Sequence, residues 1–576
     1  MSVHRPPLPS LEARMDILRN ASDYVGFAEA IGLSGSSVAY TFKTCDKNTE
    51  YKTYTKEKKC GGVRVISEPP NSLKHLQSLL ADLLKSYIFE LEKSQCTQGY
   101  IGWIKNRISH GALPKTSIVS NARAHTKKGV VLNFDLQDFF PSIHAGRIVG
   151  FLKADKRLRI NDFSARRIAY IATFEGTLPQ GSPLSPILAD LIAGVLDSRL
   201  AKIASENNLR LSRYVDDISI SSSSDALPDH IVKLLDNGSI ELGEQIRKAV
   251  EKSGFHVNES KTRLHLRGSS QRATGLVVNT YPNVSSKYYR DTRAMYHSLS
   301  KTGEFTVGSS TFSASDAHRI ISRIAFITDV RDAERIRVNE GQPIKKSKAE
   351  SWPSDKTLAE RVTFYAKCAQ PDRAIMLCEG GLDHFHFQLA KRQLEYTFYH
   401  ADVEGRKHFE LKVRQLSQRQ RTLLSVGDGA DALKNFVSAY RRNIDEVKLT
   451  QPPPPVFAVF DYDDAGRKVV NVLKDQYKIN IPHSLAGSIT NVYENLYVCF
   501  IPAANGENTA VEDLYPQHVL DAKLSGKSFR KSGGKEYYGK EVFAVEIAAK
   551  RAERSDFAVF MDFFDKINVI LKKFYS

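Results

Sequence analysis

Two short stretches of the 576-residue chain crowd aspartates together beside apolar residues. FDYDDAGR (460–467) holds three aspartates within four positions, and RYVDDISIS (213–221) holds the adjacent pair Asp216 and Asp217. Carboxylates this close repel one another, so the arrangement is costly unless a cation lies between them. Mg²⁺ prefers hard oxygen ligands, and a pair of such ions supports phosphoryl transfer. The sequence therefore raises the hypothesis of two metal-dependent sites on one chain.

The apolar pattern predicts the elements that position the upstream pair. Apolar residues occupy odd positions before Asp216 and even positions after Asp217, which predicts two strands joined by a tight turn at the acids. Another apolar strand, in VVLNFDLQDFFPSI (130–143), presents Asp135 at its end. We expect Asp135 and Asp216 to bridge two metal ions, with Asp217 nearby.

The segment TLPQGSPLSPILADLIAGVL (177–196) lies between Asp135 and the aspartate pair in the chain. It predicts a loop followed by a long helix. Ser182 has the side chain of a helix N-cap, and Pro183 suits the first helical turn.

These segments, followed by GFHVNESK (254–261), stand in the order of the reverse transcriptase motifs, and residues 61–280 resemble that family. GGVRVISEPPNSLKHLQ (61–77) is similar to its fingers segment. The resemblance implies an RNA-directed DNA polymerase that uses dNTPs and two Mg²⁺ ions, or Mn²⁺ in their place. It implies catalytic and metal-binding roles for Asp135, Asp216 and Asp217, a general acid in Lys261, and dNTP binding by Arg64, Gln180 and the steric gate Phe140. Lys261 as an ordinary surface lysine stays open.

Two further strings narrow the resemblance. NARAH (121–125) fits the NAxxH signature of retron reverse transcriptases, and RATGL (272–276) lies where that family has a VTG motif, with Ala273 replacing valine. The retron resemblance implies that the enzyme copies its own structured non-coding RNA into a branched RNA–DNA product, msDNA, from the 2′-hydroxyl of an internal guanosine. An abortive-infection polymerase and a group II intron relative stay open. The RNA-binding residues implied by the resemblance are Asn121, His125, Thr274 and Gly275.

The downstream aspartates belong to a repeated strand–acid–helix pattern. PDRAIMLCEGGLDHFHFQLAKRQL (371–394) and PVFAVFDYDDAGRKVVNVLKDQ (455–476) each place acids after a short apolar strand and before an amphipathic helix. In a parallel α/β sheet, acids at the carboxyl ends of neighbouring strands face one crevice. A third strand, NLYVCFIP (495–502), leads to two more acids. The metal ligands expected here are Glu379, Asp383, Asp461, Asp463 and Glu512, with Asp513 beside them.

EGGLD followed by DYDDAG resembles the Toprim fold, whose pattern is a glutamate ending one strand and a DxD ending the next. The further acids and Lys540 are more similar to the overcoming-lysogenization-defect nucleases. That resemblance implies metal-dependent hydrolysis of nucleic acid, with Glu379 catalytic and Lys540 steadying negative charge. For Lys540, a solvated residue at a helix start stays open. We expect His384 and His386 to pack or to contact phosphate, because their spacing does not suggest zinc.

The combined resemblance predicts an anti-phage role. Retron families pair the polymerase and its product with a toxic effector, which implies a Toprim nuclease effector on the same chain. Two alternatives stay open for residues 371–576: a nuclease that trims the product, and an inactive module that only binds branched nucleic acid.

The charge balance favours a polyanionic partner. Lys and Arg total 82 against 65 Asp and Glu, giving a net charge of +17 and a pI near 9.3. This charge suits binding to nucleic acid, although a solvated basic surface is the alternative.

The sequence also predicts a cytoplasmic protein without membrane contact. Its six cysteines show no ligand spacing, and it has neither a signal-peptide core nor an apolar run long enough to cross a bilayer. A homo-oligomer stays open.

The predicted fold class is α/β and α+β multidomain. A right-hand polymerase with fingers, palm and thumb is followed by a Toprim α/β domain with a parallel sheet. The predicted boundaries are 1–60 for a helical extension of the fingers, 61–280 for fingers and palm, 281–340 for the thumb, 341–370 for a linker and 371–576 for the Toprim domain.

Overall fold

The structure is a computed structural model. It describes residues 8–45, 47–57, 62–97, 99–235, 239–338, 353–371, 373–401, 407–409, 411–413, 423–424, 429–449, 452–480, 485–503 and 508–575. The chain divides into two compact units, Met1–Ser285 with Ala333–Val338 and Ser286–Asp332 with Asn339–Ser576. Within the described residues, no helix combines the length and apolarity needed to cross a membrane.

The first unit opens with helices and continues with strands and helices in alternation. Its helices are α1 (Leu11–Asn20), α2 (Tyr24–Ile31), α3 (Gly35–Thr44), α4 (Lys47–Glu50), α5 (Asn71–Ser94), α6 (Gly99–Asn106), α7 (Ile118–Arg123), α8 (Ala145–Ala154), α9 (Asp162–Ala172), α10 (Ser185–Glu206) and α11 (Glu244–Glu251). Its strands are β1 (Lys52–Glu57), β2 (Val63–Glu68), β3 (Val130–Gln137), β4 (Arg210–Tyr214), β5 (Asp217–Ser222), β6 (Val232–Leu234), β7 (Ile240–Leu242), β8 (His256–Leu266), β9 (Arg272–Ala273) and β10 (Leu276–Val277).

A four-stranded antiparallel sheet in the order β4-β5-β3-β8 organises the first unit. β3 lies inside this sheet, and its apolar residues, including Leu132 and Phe134, are buried in one core with Leu80 of α5 and Leu188 of α10. Strands β4 and β5 form the predicted hairpin, with its turn at the acids. Because the core packs against these strands, the sheet is a rigid support for the acidic residues near the ends of its inner strands β3 and β5.

The long helix α10 begins at Ser185, and Pro186 rather than Pro183 lies in its first turn. Ser182 instead donates its hydroxyl to Gln77 Oε1 of α5, at 2.9 Å. The prediction of Ser182 as the N-cap was therefore wrong. The Ser182 oxygen also accepts the Leu184 N–H at 3.2 Å, but the helix begins three residues after Ser182, with Leu184 at the N-cap position.

The second unit contains helices on both sides of a central sheet. Its helices are α12 (Ser286–Thr302), α13 (Ala317–Val338), α14 (Pro353–Phe364), α15 (Asp383–Gln393), α16 (Ala430–Asp445), α17 (Val469–Asp475), α18 (Gln517–Leu520), α19 (Lys540–Val542), α20 (Ala549–Arg551) and α21 (Ala558–Tyr575), where the end of α13 belongs to the first unit. Its strands are β11 (Glu304–Val307), β12 (Ser310–Ser313), β13 (Ala374–Cys378), β14 (Tyr399–Ala401), β15 (Lys407–Phe409), β16 (Leu411–Val413), β17 (Val456–Phe460), β18 (Ile489–Tyr493), β19 (Leu496–Phe500), β20 (Ser528–Phe529) and β21 (Tyr537–Tyr538).

The central sheet of the second unit has the order β16-β13-β17-β19-β18. Strands β16, β13, β17 and β19 are parallel, and β18 pairs with β19 in the antiparallel sense. Alternate residues of β17 face two separate cores: Ala458 packs with α16 and α17, and Phe457 packs with α15 and α21. The predicted parallel sheet is present, with an antiparallel strand at its edge.

The segment predicted as thumb, 281–340, forms the expected helices α12 and α13, with the unpredicted antiparallel pair β11 and β12 between them, and contributes to the core of the second unit over Ser286–Asp332. Of the predicted linker, residues 341–352 lie outside the described part of the chain. The rest forms α14 and a π-helical turn (Tyr365–Ala369), with Val362 and Tyr365 fully buried. That part of the linker prediction is corrected, because apolar residues at helical spacing bury in the core despite the polar composition before them.

Candidate active sites

The first acidic site consists of Asp135 on β3, Asp216 in the turn after β4 and Asp217 at the start of β5. Asp135 lies opposite Asp217 in the pairing of β3 with β5, and the Leu136 N–H donates to the Asp216 carbonyl at 3.0 Å. Burial, with the charges of Asp216 and Asp135, raises the pKa of Asp217 to about 7. The structure thus brings the three predicted carboxylates together, and their catalytic role stays a prediction.

Lys261 on β8 reaches into the first acidic site. Its Nζ lies 2.8 Å from Asp135 Oδ1. Burial alone lowers the pKa of Lys261, but the hydrogen bond and charge of Asp135 outweigh it, so the pKa is raised. The ammonium is therefore held protonated, which is the state that a general acid needs before it donates.

An open cleft of about 1100 Å³ contains the first acidic site, and Arg64, Phe140 and Gln180 line it together with the aspartates. The Ser67 N–H of β2 donates to the Gln180 carbonyl at 2.7 Å, which anchors the loop before α10. Ser67 was not predicted from the sequence, because its backbone contact joins distant segments and leaves no local pattern.

Asn121 and His125 lie inside the first unit, fully buried. His125 Nδ1 and Nε2 contact Ser221 Oγ on β5 and Ser212 Oγ on β4, each at 2.7 Å. RNA has no access to these side chains, so the expectation that they contact RNA directly is corrected. His125 instead ties the end of α7 to the hairpin that carries the acids. The buried amide of Asn121 has no hydrogen-bond partner among the described residues.

Thr274 lies at the cleft in the turn between β9 and β10. Its Oγ1 donates to the Ile118 carbonyl at the start of α7, at 3.0 Å, and both residues line the cleft. The backbone is left-handed at Thr274 (φ +47°) and at the exposed Gly275 (φ +78°). Thr274 of the RATGL segment therefore contacts α7, the helix in which NARAH begins, and RNA binding by Thr274 and Gly275 stays a prediction.

The second acidic site consists of Glu379, Asp383, Asp461, Asp463 and Glu512. Glu379 and Asp461 follow the ends of the parallel neighbours β13 and β17, and the Asp461 N–H donates to Glu379 Oε2 at 3.3 Å. Burial, with the charges of Asp463 and Asp383, raises the pKa of Glu379 to about 7. Burial, Asp383 and Glu379 raise the pKa of Asp461 well above its usual range. The crevice expected from the parallel strands therefore collects these carboxylates.

Glu512 lies in the 3-10 helix Val511–Leu514 and is fully buried. Its Oε2 is 3.0 Å from Lys540 Nζ, and its Oε1 has no hydrogen-bond partner in the described part of the chain. The charge of Glu512 also raises the pKa of Asp461, behind burial, Asp383 and Glu379. Asp513 is different, because its Oδ2 accepts the Ala510 N–H at 2.8 Å and caps the turn. Glu512 thus joins the cluster, and Asp513 is corrected to a capping residue.

Both acidic sites have the donor chemistry of a site for a hard divalent cation. As the side chains stand, no group of three or more His, Cys, Asp and Glu among the described residues has the spacing to hold a metal ion. A lysine supplies the counter-charge in each site, Lys261 beside Asp135 and Lys540 beside Glu512. Carboxylates with raised pKa values and the unpartnered Glu512 Oε1 are groups that Mg²⁺ satisfies. The donor chemistry of these residues therefore fits the ion.

His386 packs against the segments that carry Glu512 and Lys540 of the second acidic site. Its Nδ1 lies 3.1 Å from Tyr515 Oη, and the rings of Tyr515 and Phe543 pack around the buried imidazole. Tyr515 follows the turn with Glu512, and Phe543 follows α19 with Lys540. Packing, one of the two roles expected for His386, is therefore what the structure shows. Tyr515 was not predicted from the sequence, because it belongs to no motif.

Comparisons with known proteins concern the polymerase-like part of the chain. Residues 54–296 match the family model described as reverse transcriptase (RNA-dependent DNA polymerase). The chain is 32% identical over 269 residues to the retron Mx65 reverse transcriptase of Myxococcus xanthus, covering 43% of this chain and 55% of the relative. It is 28% identical over 288 residues to the retron Ec86 reverse transcriptase of Escherichia coli, and this match covers 50% of this chain and 79% of the relative. The chain thus spans about half the length of the first relative.

Among solved structures, apo telomerase from Candida tropicalis truncated from the C-terminal domain has a TM-score of 0.28 at 15% identity, covering 44% of this chain and 61% of that chain. The resemblance to retron-type reverse transcriptases is confirmed by the sequence relatives. The resemblance of residues 371–576 to Toprim domains stays a prediction.

Proposed function

We propose that the chain is a retron-type RNA-directed DNA polymerase, which copies its own structured RNA into a branched RNA–DNA product. The observation that carries the proposal is the convergence of Asp135, Asp216 and Asp217 with Lys261 in one open cleft. The family match over residues 54–296 and the similarity to retron reverse transcriptases support the same chemistry.

In this proposal the three aspartates would hold Mg²⁺, and the bound ion would supply activation of the attacking hydroxyl and stabilisation of the departing diphosphate. The Arg64 guanidinium, exposed on β2 at the cleft, binds triphosphate oxygens through its fork of donors. Lys261 carries a proton on Nζ that it can give to the departing diphosphate. The Phe140 ring limits the space at the sugar, and Gln180 borders the new base pair.

The test is to purify the protein expressed with its native flanking DNA and to examine the bound nucleic acid on gels. We expect a short DNA whose mobility shifts after RNase and debranching enzyme and which disappears after DNase. The matched variants Asp216→Ala and Asp217→Ala abolish it, because both remove a carboxylate of the first acidic site. A chain without branched DNA, or with DNA that persists in both variants, contradicts the proposal.

We propose a second function for the second acidic site, a Toprim-type metal-dependent nuclease that acts as the toxic effector of anti-phage defence. The observation that favours it is the collection of carboxylates and Lys540 at the carboxyl ends of parallel strands. In the proposal, the ion would be held by Glu379, Asp383, Asp461, Asp463 and Glu512. Lys540 steadies the charge that develops at phosphorus. The branched product holds this nuclease idle until phage interference releases it.

Asp461→Ala separates this function from its rivals. We expect phage protection to be lost while the branched product keeps its amount and length, because the first acidic site is untouched. A longer product in the variant assigns the second acidic site to trimming. Unchanged protection and an unchanged product assign it to binding of branched nucleic acid only.

A further inference from the structure

Arg213 on β4 is buried immediately behind the turn that carries Asp216 and Asp217. It is among the largest fully buried side chains of the described residues, with 1% of its side chain exposed. Its guanidinium forms a bidentate pair with Asp197 of α10, from Nε at 2.7 Å and from Nη2 at 2.8 Å. Nη2 also donates to Asp190 Oδ1 at 3.0 Å. Two carboxylates of one helix face thus fix the plane and position of the guanidinium.

The remaining nitrogen of the Arg213 guanidinium, Nη1, is directed at the turn itself. Nη1 donates to the Val215 carbonyl at 2.9 Å, and this carbonyl belongs to the peptide that leads into Asp216. Val215 has φ +59°, a left-handed backbone that a β-branched residue rarely adopts. Such a conformation persists only where the surroundings hold it, and strain of this kind concentrates at functional sites.

The backbone around Arg213 is held from the outer edge of the sheet as well. The Arg213 N–H donates to the Ile108 carbonyl and the His110 N–H donates to the Arg213 carbonyl, both at 2.8 Å. Gly111 follows, and a Cβ there would lie 2.7 Å from the Val215 nitrogen. The segment 108–111 therefore lies directly against the turn, so that the turn has little freedom except through its own dihedral angles.

We propose that Arg213, oriented by Asp190 and Asp197, is a positioning residue that holds the strained Val215 turn and thereby sets the placement of the Asp216 and Asp217 carboxylates for metal binding. The inference rests on the proposed polymerase function of the first acidic site. Arg213 does not touch substrate in this arrangement. It acts through the Val215 carbonyl.

A purely stabilising role would not need this geometry. Buried ion pairs contribute little net stability compared with apolar residues of similar size. A planar guanidinium can hold two carboxylates and one carbonyl in fixed directions at once, whereas a lysine ammonium cannot reproduce the fork. Arg107 Nη2 lies 3.7 Å from Asp190 Oδ2, so the buried cluster holds four charges. The cost of burying them behind an acidic turn is explained by orientation of the turn.

The test measures metal binding and catalysis separately in the full-length chain with Asp461→Ala, so that the second acidic site is impaired. Mn²⁺ binding is followed by electron paramagnetic resonance, and DNA synthesis on an RNA template is followed against Mg²⁺ and dNTP concentration. The variants are Asp197→Asn and Arg213→Lys, each alone and combined with Val215→Gly. The control is Leu188→Ala, which removes a buried apolar side chain from the same helix.

We expect Asp197→Asn and Arg213→Lys to weaken Mn²⁺ binding and to raise the half-saturating Mg²⁺ by about tenfold or more. The KM for dNTP changes by less than about twofold, because the nucleotide contacts are elsewhere. Val215→Gly restores most of the metal affinity, since glycine adopts φ near +60° without a holding contact. Leu188→Ala lowers the unfolding temperature and leaves Mn²⁺ affinity unchanged.

The inference is overturned if the variants lose stability but still bind Mn²⁺ with unchanged affinity when folded. A loss of affinity that Val215→Gly does not restore overturns it too, because the turn would not be the link. If the Arg213→Lys variant does not fold, the Mn²⁺ affinity of the near-isosteric Asp197→Asn variant decides whether the inference stands. If the parent chain binds Mn²⁺ but makes no DNA, the polymerase proposal fails while the Mn²⁺ results still decide the role of Arg213.

Discussion

At the scale of single residues, Phe140 is held so that it limits the shape of the cleft. Its ring centroid lies 5.4 Å from that of Phe139, which in turn packs 5.5 Å from Phe255. Phe139 and Phe255 are buried, so the ring of Phe140 has a fixed support behind it. A supported ring excludes a larger sugar by steric overlap, because retreat would disrupt the core.

Replacing this ring tests the assignment. We expect Phe140→Ala to raise kcat/KM for ribonucleotides relative to deoxynucleotides by on the order of tenfold or more, since it opens space for a 2′-hydroxyl. The matched variant Phe140→Tyr keeps the ring and keeps the discrimination. Single-nucleotide incorporation assays measure both ratios, and equal discrimination in Phe140→Ala and the parent chain contradicts the gate.

The buried imidazole of His125 predicts sensitivity to acid. Burial, with the nearby Arg210 and His110, lowers the pKa of His125 to about 3 in the folded chain. The unfolded chain binds this proton near pH 6.5, so stability is full above that pH and falls as pH decreases towards 3. We expect His125→Gln to flatten the slope of unfolding free energy between pH 6 and 4 by up to about 1.4 kcal/mol per pH unit.

Denaturant unfolding at several pH values, monitored on the first unit, measures this slope. His75→Gln, at an exposed position of α5, is the control and keeps the parent slope. Identical slopes in His125→Gln and the parent chain would show that His125 is not held neutral on folding.

At the scale of elements, the loop before α10 depends on its fit against β2. Gly181 has φ +132°, and a Cβ at this position would lie 2.6 Å from the Ser67 carbonyl oxygen. The same approach lets the Ser67 N–H donate to the Gln180 carbonyl. A glycine is needed here for two reasons, the backbone dihedral and the close contact between backbones.

Adding one methyl group to this loop tests the dependence. We expect Gly181→Ala to displace Gln180 from the cleft and to lower kcat/KM for dNTP by about tenfold or more, because small misplacements at a site are costly. Gly150→Ala on α8 is the control, since its Cβ meets nothing within 4 Å. Steady-state primer extension measures both, and equal effects in the two variants contradict the role of the loop.

At the scale of the whole molecule, the net charge of +17 predicts the form of nucleic-acid binding. Lysine and arginine side chains that neutralise phosphates release counterions, so affinity falls as salt rises. We expect the logarithm of the RNA association constant to fall against the logarithm of salt concentration with a slope of about −3 or steeper, which corresponds to about four or more phosphate contacts. Filter binding of the cognate RNA at several KCl concentrations measures the slope. A slope near zero would show that the basic surface is only solvated.

Local chemistry was sufficient to predict much of this protein from sequence alone. Alternation of apolar residues predicted the hairpin at Asp216, and the strand–acid–helix patterns predicted the parallel strands that carry Glu379 and Asp461. These inferences succeeded because strand periodicity and motif order are properties of neighbouring residues. The same locality explains the errors at Ser182 and at residues 353–369, where contacts distant in the chain decided the outcome.

Only the tertiary structure could decide which side chains are buried and what they hold. It placed Asn121 and His125 inside the first unit, joined Ser67 to Gln180, and brought Arg213 between two carboxylates of α10. Each of these results depends on pairs of residues far apart in the chain, and no single segment encodes such a pair. The sequence thus determined the chemistry of both acidic sites, and the packing of distant elements determined the residues that position them.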